Sequence, residues 1–152
     1  MGSKSTTKTG AAATIVQETA ATTTGVHIKD AYYEKCFQLK GTNIGDGIVL
    51  ADCADTTNQL WDYNTSTHQL KSKSGTGCIQ LDDGPTQEPV YKTCNDSVQQ
   101  KWSYDVGKKR FKRYDNGSSI GDCMQSHDFA RNYWVIGDPC SDTNAKQKMT
   151  MY

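Results

Sequence analysis

One pattern occurs three times in this 152-residue chain. A strand-like run opens on cysteine, a second closes on cysteine 16 or 17 positions further on, and a third follows a Gln-x-Trp element. The first copy reads Cys36-Phe-Gln-Leu, Ile48-Val-Leu-Ala-Asp-Cys53 and Asn58-Gln-Leu-Trp61. The second reads Cys78-Ile-Gln-Leu, Val90-Tyr-Lys-Thr-Cys94 and Gln99-Gln-Lys-Trp102. The third reads Cys123-Met-Gln-Ser, Val135-Ile-Gly-Asp-Pro-Cys140 and Lys146-Gln-Lys-Met149. Copies of one unit stack to bury a common core that no single unit could bury alone. The first cysteines are 42 and 45 positions apart and the Gln-x-Trp ends 41 and 47. Propeller blades have a similar period, but propellers use about four to eight of them. Three copies of four short strands fit a closed threefold barrel with a hairpin cap.

Six cysteines allow 15 complete pairings, and the repeat selects one: Cys36–Cys53, Cys78–Cys94 and Cys123–Cys140. Only 35% of residues are hydrophobic and the mean hydropathy is −0.74, so the core is thin. Disulfides, at roughly 2–4 kcal/mol each, stabilise such a domain and place it in an oxidising compartment. Zinc is disfavoured, because there is no Cys-x-x-Cys and His27, His68 and His127 are scattered. No cofactor is expected. Three Asn-x-Ser/Thr sequons, at Asn64, Asn95 and Asn116, suit a secreted protein.

Residues 1–24 read as a flexible tail, rich in Ala, Thr, Ser and Lys, with no secretory apolar stretch and none long enough to span a membrane. Met1-Gly-Ser-Lys-Ser-Thr6 fits the myristoylation pattern, but a linker or an expression-vector start is the favoured reading, because myristoylation implies a cytosolic protein with free thiols. From Gly25 short β-type runs begin, including Ala31-Tyr-Tyr33, punctuated by turns such as Gly45-Asp-Gly47, Asp83-Gly-Pro85 and Asp115-Asn-Gly117. The expected fold is all-β over residues 25–152, with repeats at about 25–65, 66–106 and 107–152.

The spacing of Ile48-Val-Leu-Ala-Asp-Cys53 and Asn58-Gln-Leu-Trp61 resembles the ricin B-type lectin β-trefoil repeat, in which C-L-D, V-Q-L-W-x-C and N-Q-x-W follow one another. Gln100-Lys-Trp102 matches in the second repeat, and the third ends Gln147-Lys-Met149, with an adaptable methionine in place of tryptophan. The resemblance implies that Gln-x-Trp is structural, its tryptophan in the core and its glutamine bracing a turn. It also implies a sugar site in each repeat, made by the Asp of C-L-D, an aromatic residue two positions before the second cysteine and the Asn before Gln-x-Trp. At these positions repeat 1 has Gln38, Ala51 and Asn58, repeat 2 has Gln80, Lys92 and Gln99, and repeat 3 has Gln125, Asp138 and Lys146. Every carboxylate is an amide and every stacking ring is gone, which disfavours ordinary galactose binding, since charge-assisted hydrogen bonds are about twice as strong as neutral ones. The uniform Cys-x-Gln is either a solvent-facing or turn-capping residue or part of an amide-lined pocket for another glycan.

Alternation turns Tyr91 to the core, whereas Trp134, at a loop–strand junction, is either a stacking surface or a core lid. Lys108, Lys109, Arg110, Lys112 and Arg113 concentrate positive charge in a chain with 17 basic and 17 acidic residues. They form either an anionic-ligand patch for sulfated or acidic glycans or a solvated hairpin, with Phe111 fixing the buried side. Nucleic acid is not an expected partner, because no further basic or aromatic surface supports it. Catalysis has no recognisable constellation: Asp82-Asp83 has no partner carboxylate, and the cysteines are assigned to bridges. The reading is a secreted or extracellular carbohydrate-binding domain, partnered by glycans or glycoproteins and not an enzyme. The alternatives are a protein-interaction or structural trefoil that has lost sugar binding, or an accessory module of a larger toxin or enzyme.

Overall fold

The computed structural model describes residues 23–82, 88–114, 122–130 and 132–152. Residues 1–22 of the N-terminal tail, the Asp83 and Asp115 turns and the Asn116 sequon lie outside the described residues, whereas Thr23 and Thr24, read as the end of that tail, belong to a strand that pairs with Trp61–Asn64. The strands are β1 (Thr23–Val26), β2 (Ile28–Asp30), β3 (Cys36–Leu39), β4 (Ile48–Ala51), β5 (Trp61–Asn64), β6 (Gln69–Ser72) and β7 (Gly77–Gln80). They continue with β8 (Val90–Thr93), β9 (Trp102–Asp105), β10 (Arg110–Arg113), β11 (Asp122–Phe129), β12 (Asn132–Pro139) and β13 (Met149–Met151). Short 3₁₀ turns at Thr57–Gln59, Val98–Gln100 and Ala145–Gln147 precede β5, β9 and β13.

The three repeats obey the same pairing rules. Antiparallel pairs β5–β6, β9–β10 and β13–β2 join one repeat to the next, and hairpins β3–β4, β7–β8 and β11–β12 cap the arrangement. Each cysteine strand is attached to the strand before it by an equivalent pairing, Lys29 with Cys36, Lys71 with Cys78 and Lys112 with Cys123. This is a β-trefoil, with disulfides Cys36–Cys53, Cys78–Cys94 and Cys123–Cys140, one per repeat.

Alternation decides what fills the core. In β3 and β4, Phe37, Leu39, Ile48 and Leu50 point inward and are buried, while Gln38 and Val49 share the outer face. Trp61, Trp102 and Met149 occupy equivalent positions, each fully buried, so methionine does fill the third tryptophan's place. The two indole Nε1 groups donate to the carbonyls of Phe37 and Ile79, each at 3.2 Å. Tyr91 is buried as alternation requires, and its hydroxyl accepts from the Gly77 N–H at 2.6 Å.

Ala31–Tyr33 departs from the strand expected there and forms a turn. The cause is Asp30, a fully buried residue whose carboxylate accepts from the backbone N–H groups of Tyr32 and Tyr33 at 3.0 and 2.7 Å. Such local bonds compete with strand pairing, and Glu34 completes the reversal with a left-handed φ of 60°.

His68 carries a pH dependence. Its ring stacks on Tyr114 at 3.7 Å, and its Nδ1 is buried with no hydrogen-bond partner among the described residues. Burial lowers its pKa, so the unfolded chain binds a proton that the folded chain resists. Stability is therefore complete above the ordinary histidine pKa of about 6.5 and declines as pH falls through the lower folded value. His68→Asn, which tolerates the positive φ of 63°, is expected to flatten urea-unfolding stability between about pH 7 and 5. An unchanged slope would remove His68 as its source.

Candidate functional site

The three Cys-x-Gln glutamines face the three Gln-x-Trp/Met glutamines, and the bonds between them set every amide's orientation. In repeat 1 the Ala54 N–H donates to Gln59 Oε1 at 2.8 Å. Gln59 Nε2 therefore turns the other way, donating to the Asp52 carbonyl at 2.8 Å and to Gln38 Oε1 at 2.9 Å. Repeat 2 repeats this: Asn95 N–H to Gln100 Oε1, and Gln100 Nε2 to the Thr93 carbonyl and Gln80 Oε1. In repeat 3 the Ser141 N–H donates to Gln147 Oε1, and Gln147 Nε2 donates to the Pro139 carbonyl and Gln125 Oε1. Backbone N–H groups only donate and carbonyls only accept, so neither amide can be flipped without breaking the set.

Cys-x-Gln is thus neither a plain solvent-facing residue nor a turn cap. It is half of a brace between the cap hairpin and the 3₁₀ turn. The consequence is a change of polarity. A carboxylate here would have two oxygens, one for the brace and one for a ligand. An amide has one, and the brace takes it, leaving an NH₂ group as the second function. Gln38 Nε2 has no acceptor among the described residues, whereas Gln80 Nε2 donates to Asp82 at 2.7 Å. Gln125 Oε1 also accepts from Asn144 Nδ2 at 2.7 Å.

Strand register brings further residues to these amides. Gln38 lies opposite Val49, Gln80 opposite Val90 and Gln125 opposite Ile136. The positions that would carry the stacking ring pair with the first cysteines: Ala51 with Cys36, Lys92 with Cys78 and Asp138 with Cys123. Hairpin β11–β12, with eight residues in each strand, reaches across to repeat 1 and pairs Trp134 with Val49. Directly paired residues share a face, so Gln38, Val49, Trp134 and His127 form one outer row across β3, β4, β12 and β11. All four are partly exposed. The corresponding neighbour of Val90 is Gly47, which brings no side chain.

The remaining candidates are spread out. Asn58 sits in the first 3₁₀ turn and accepts from the Thr56 hydroxyl at 2.6 Å. Gln99 offers its backbone carbonyl to Leu81 N–H at 2.9 Å. In the basic segment Phe111 is buried in the core, and alternation divides the cations between two faces. Lys108 and Arg110 converge on Asp142, at 3.1 and 2.8 Å, and hold its carboxyl below the usual carboxylate range, Lys108 contributing most. That ion pair occupies two of the five cations.

A cluster that the repeat pattern did not single out lies where repeats 1 and 3 meet. Tyr32 and Tyr33 meet edge to face at 4.7 Å, and Tyr33 packs on Tyr133 at 5.0 Å. Lys35 Nζ lies 4.9 Å from the Tyr133 ring and is paired with Asp52 at 2.7 Å. Lys146 Nζ lies 5.1 and 5.7 Å from the rings of Tyr32 and Tyr33. The sequence signal was the adjacent Tyr32-Tyr33 before Lys35, but Lys146 is 113 positions beyond Tyr33 and nothing in the pattern links them.

Among the described residues no group of three or more His, Cys, Asp or Glu could hold a metal ion, and no helix is long and apolar enough to cross a membrane.

Residues 24–149 match the family described as ricin-type beta-trefoil lectin domain. No curated protein matches the chain. Among solved structures, GalNAc-T7 with UDP, GalNAc and Mn2+ is similar at 21% identity and a TM-score of 0.66; the match covers 82% of this chain but only 21% of that one. The Vibrio vulnificus hemolysin/cytolysin β-trefoil lectin with N-acetyl-D-lactosamine bound has 15% identity and a TM-score of 0.64, over 84% of this chain and 93% of that one. An earthworm lectin C-terminal domain mutant in complex with 6'-sialyllactose has 14% identity and a TM-score of 0.64, over 87% and 98%. At these identities the likeness is one of fold.

Proposed function

This chain belongs to the ricin-type β-trefoil lectin family, and from that premise we propose that it is a carbohydrate-binding domain that acts by recognition without catalysis. The observation that carries the reading is the row Gln38–Val49–Trp134 on the outer face of β3, β4 and β12. Sugar recognition needs an apolar surface for the ring's C–H face and a polar group for its hydroxyls. The indole and Val49 offer the first, and the Gln38 NH₂ the second. Repeat 3 thereby lends repeat 1 the aromatic ring that Ala51 lacks. The similar trefoils solved with N-acetyl-D-lactosamine and 6'-sialyllactose support sugar as the ligand class.

The pocket donates where an aspartate would accept, which favours glycans rich in acceptors, with sulfated and acidic sugars foremost among them. Three disulfides support an extracellular or secreted setting. They also leave no free cysteine as a nucleophile. Work as an accessory module of a larger protein is the second reading, favoured by the small share of GalNAc-T7 that the match covers.

A glycan array spanning neutral, sulfated and carboxylated sugars tests the reading, followed by titration of the best ligand. Trp134→Ala is expected to weaken binding about 10-fold or more, a loss typical of one stacking contact. Gln38→Asp restores a second oxygen and is expected to shift preference toward neutral galactosides. Silence across the whole array would sink the lectin reading, and full affinity in Trp134→Ala would remove this row as the site.

A further inference from the structure

The Tyr32–Lys146 cluster stands apart from the Gln38–Trp134 row and combines features that together define a ligand. Tyr32 is 53% exposed, so much of its ring is open to solvent. Its mounting is rigid. Both carboxylate oxygens of Asp30 bind the N–H groups of Tyr32 and Tyr33. The Ala31 N–H donates to the Lys148 carbonyl at 2.9 Å, and the Asp30 N–H to the Lys35 carbonyl at 2.8 Å. A ring held this way loses little freedom when a ligand lands on it.

Lys146 brings charge to the same place. Its backbone is anchored by Asn144, whose Oδ1 accepts from the Lys146 N–H at 3.0 Å and whose Nδ2 joins the Gln125 brace. The cation thus rises from the polar end of the third repeat's pocket, at the position equivalent to Asn58 and Gln99, and leans over the tyrosines. The Tyr33 phenol beside it holds its pKa above the usual lysine value, so it is charged at any physiological pH. Lys35 is paired with Asp52, whereas Lys146 forms no salt bridge among the described residues and feels the Asp128 carboxylate as a weaker influence than the Tyr33 phenol.

We propose that Tyr32 and Lys146 form a second glycan site, in which the open tyrosine ring takes the apolar face of a pyranose and the Lys146 ammonium takes a carboxylate or sulfate on that sugar. Cation and platform serve one ligand because the ammonium lies over one side of the Tyr32 ring, 5.1 Å from its centroid, while the residue keeps about half of its surface open to solvent. The site rests on the carbohydrate-binding reading and deepens it by naming an anionic sugar and the residues that read its charge.

The test uses the full chain and isothermal titration with sialylated lactose, sulfated N-acetylgalactosamine and uncharged lactose. Expected is tighter binding of at least one charged sugar than of lactose, and which one identifies carboxylate or sulfate as the source. Lys146→Met is expected to lower the charged sugar's affinity about 10-fold, to remove its advantage over lactose and to abolish the salt dependence of binding. Tyr32→Ala is expected to cost about 10-fold for the charged sugar, and Tyr32→Phe, which keeps the ring, to retain affinity. Both side chains lie at the surface, and near-ultraviolet circular dichroism will show that the variants keep the wild-type fold. If charged sugars bind but Lys146→Met and Tyr32→Ala retain wild-type affinity, this site is wrong and the lectin reading stands. If lactose binds as tightly as either charged sugar, this site is equally overturned. If none of the sugars on the array or in titration binds, both fall together.

Discussion

Reducing the three disulfides is expected to unfold the domain at room temperature and neutral pH. Each bridge closes a loop of 16 or 17 positions, which contributes about 3 kcal/mol in the chain-entropy account; three together reach roughly 9 kcal/mol. Net stabilities of whole domains run only about 5–15 kcal/mol. With 35% hydrophobic residues the core has little to spare. Each bridge also ties a hairpin to the loop that its glutamine brace organises, as Cys53 lies between Asp52 and Ala54, both bonded to Gln59. Thermal unfolding with and without reductant, after alkylation to prevent re-oxidation, measures the effect. A melting temperature within a degree or two of the oxidised protein's would show that the core alone suffices and that the bridges are incidental.

The second large effect is expected from Trp61→Ala, a loss of about 3–5 kcal/mol, the range for truncating a buried aromatic residue. Trp61 is fully buried and its indole satisfies the Phe37 carbonyl, so the substitution leaves a cavity and an unpaired acceptor. Trp102→Ala should behave alike, because Trp102 has the same burial and the equivalent bond to Ile79. Trp134→Ala is expected to do the reverse, costing little stability because the ring is only partly buried, and weakening glycan binding instead. Urea unfolding of the three variants separates the roles. A loss under about 1 kcal/mol in Trp61→Ala would contradict its place in the core.

The scaffold was legible because it is written in local, repeated terms. Cysteine spacing selected the pairing that the bridges adopt, since each closes within its own repeat. Alternation predicted that Tyr91 turns inward, and Phe111 marked the buried side of the basic strand. Met149 could be read as a third core residue because its neighbours Gln147 and Lys148 preserve the element around it.

The chemistry around the pockets was less legible, and the reasons are specific. Cys-x-Gln repeats three times, yet whether its amide accepts or donates toward a ligand depends on a brace across 20 to 22 positions, from Gln38 to Gln59, Gln80 to Gln100 and Gln125 to Gln147. The strand expected at Ala31–Tyr33 failed because Asp30 is buried and its carboxylate caps the turn, which composition cannot reveal. Asp142 is far in sequence from the basic segment it partly neutralises.

The sequence by itself determined the repeat, the bridges, the core positions and the family, because these depend on period, alternation and spacing along the chain. Only the tertiary structure decided what the surface offers. Trp134 joins the row of Val49 and Gln38 through its pairing with Val49, between the first and third hairpins, and Lys146 meets Tyr32 because the last repeat closes against the first. Closure of the barrel sets those contacts, and a closure contact joins residues about a hundred positions apart that share no pattern.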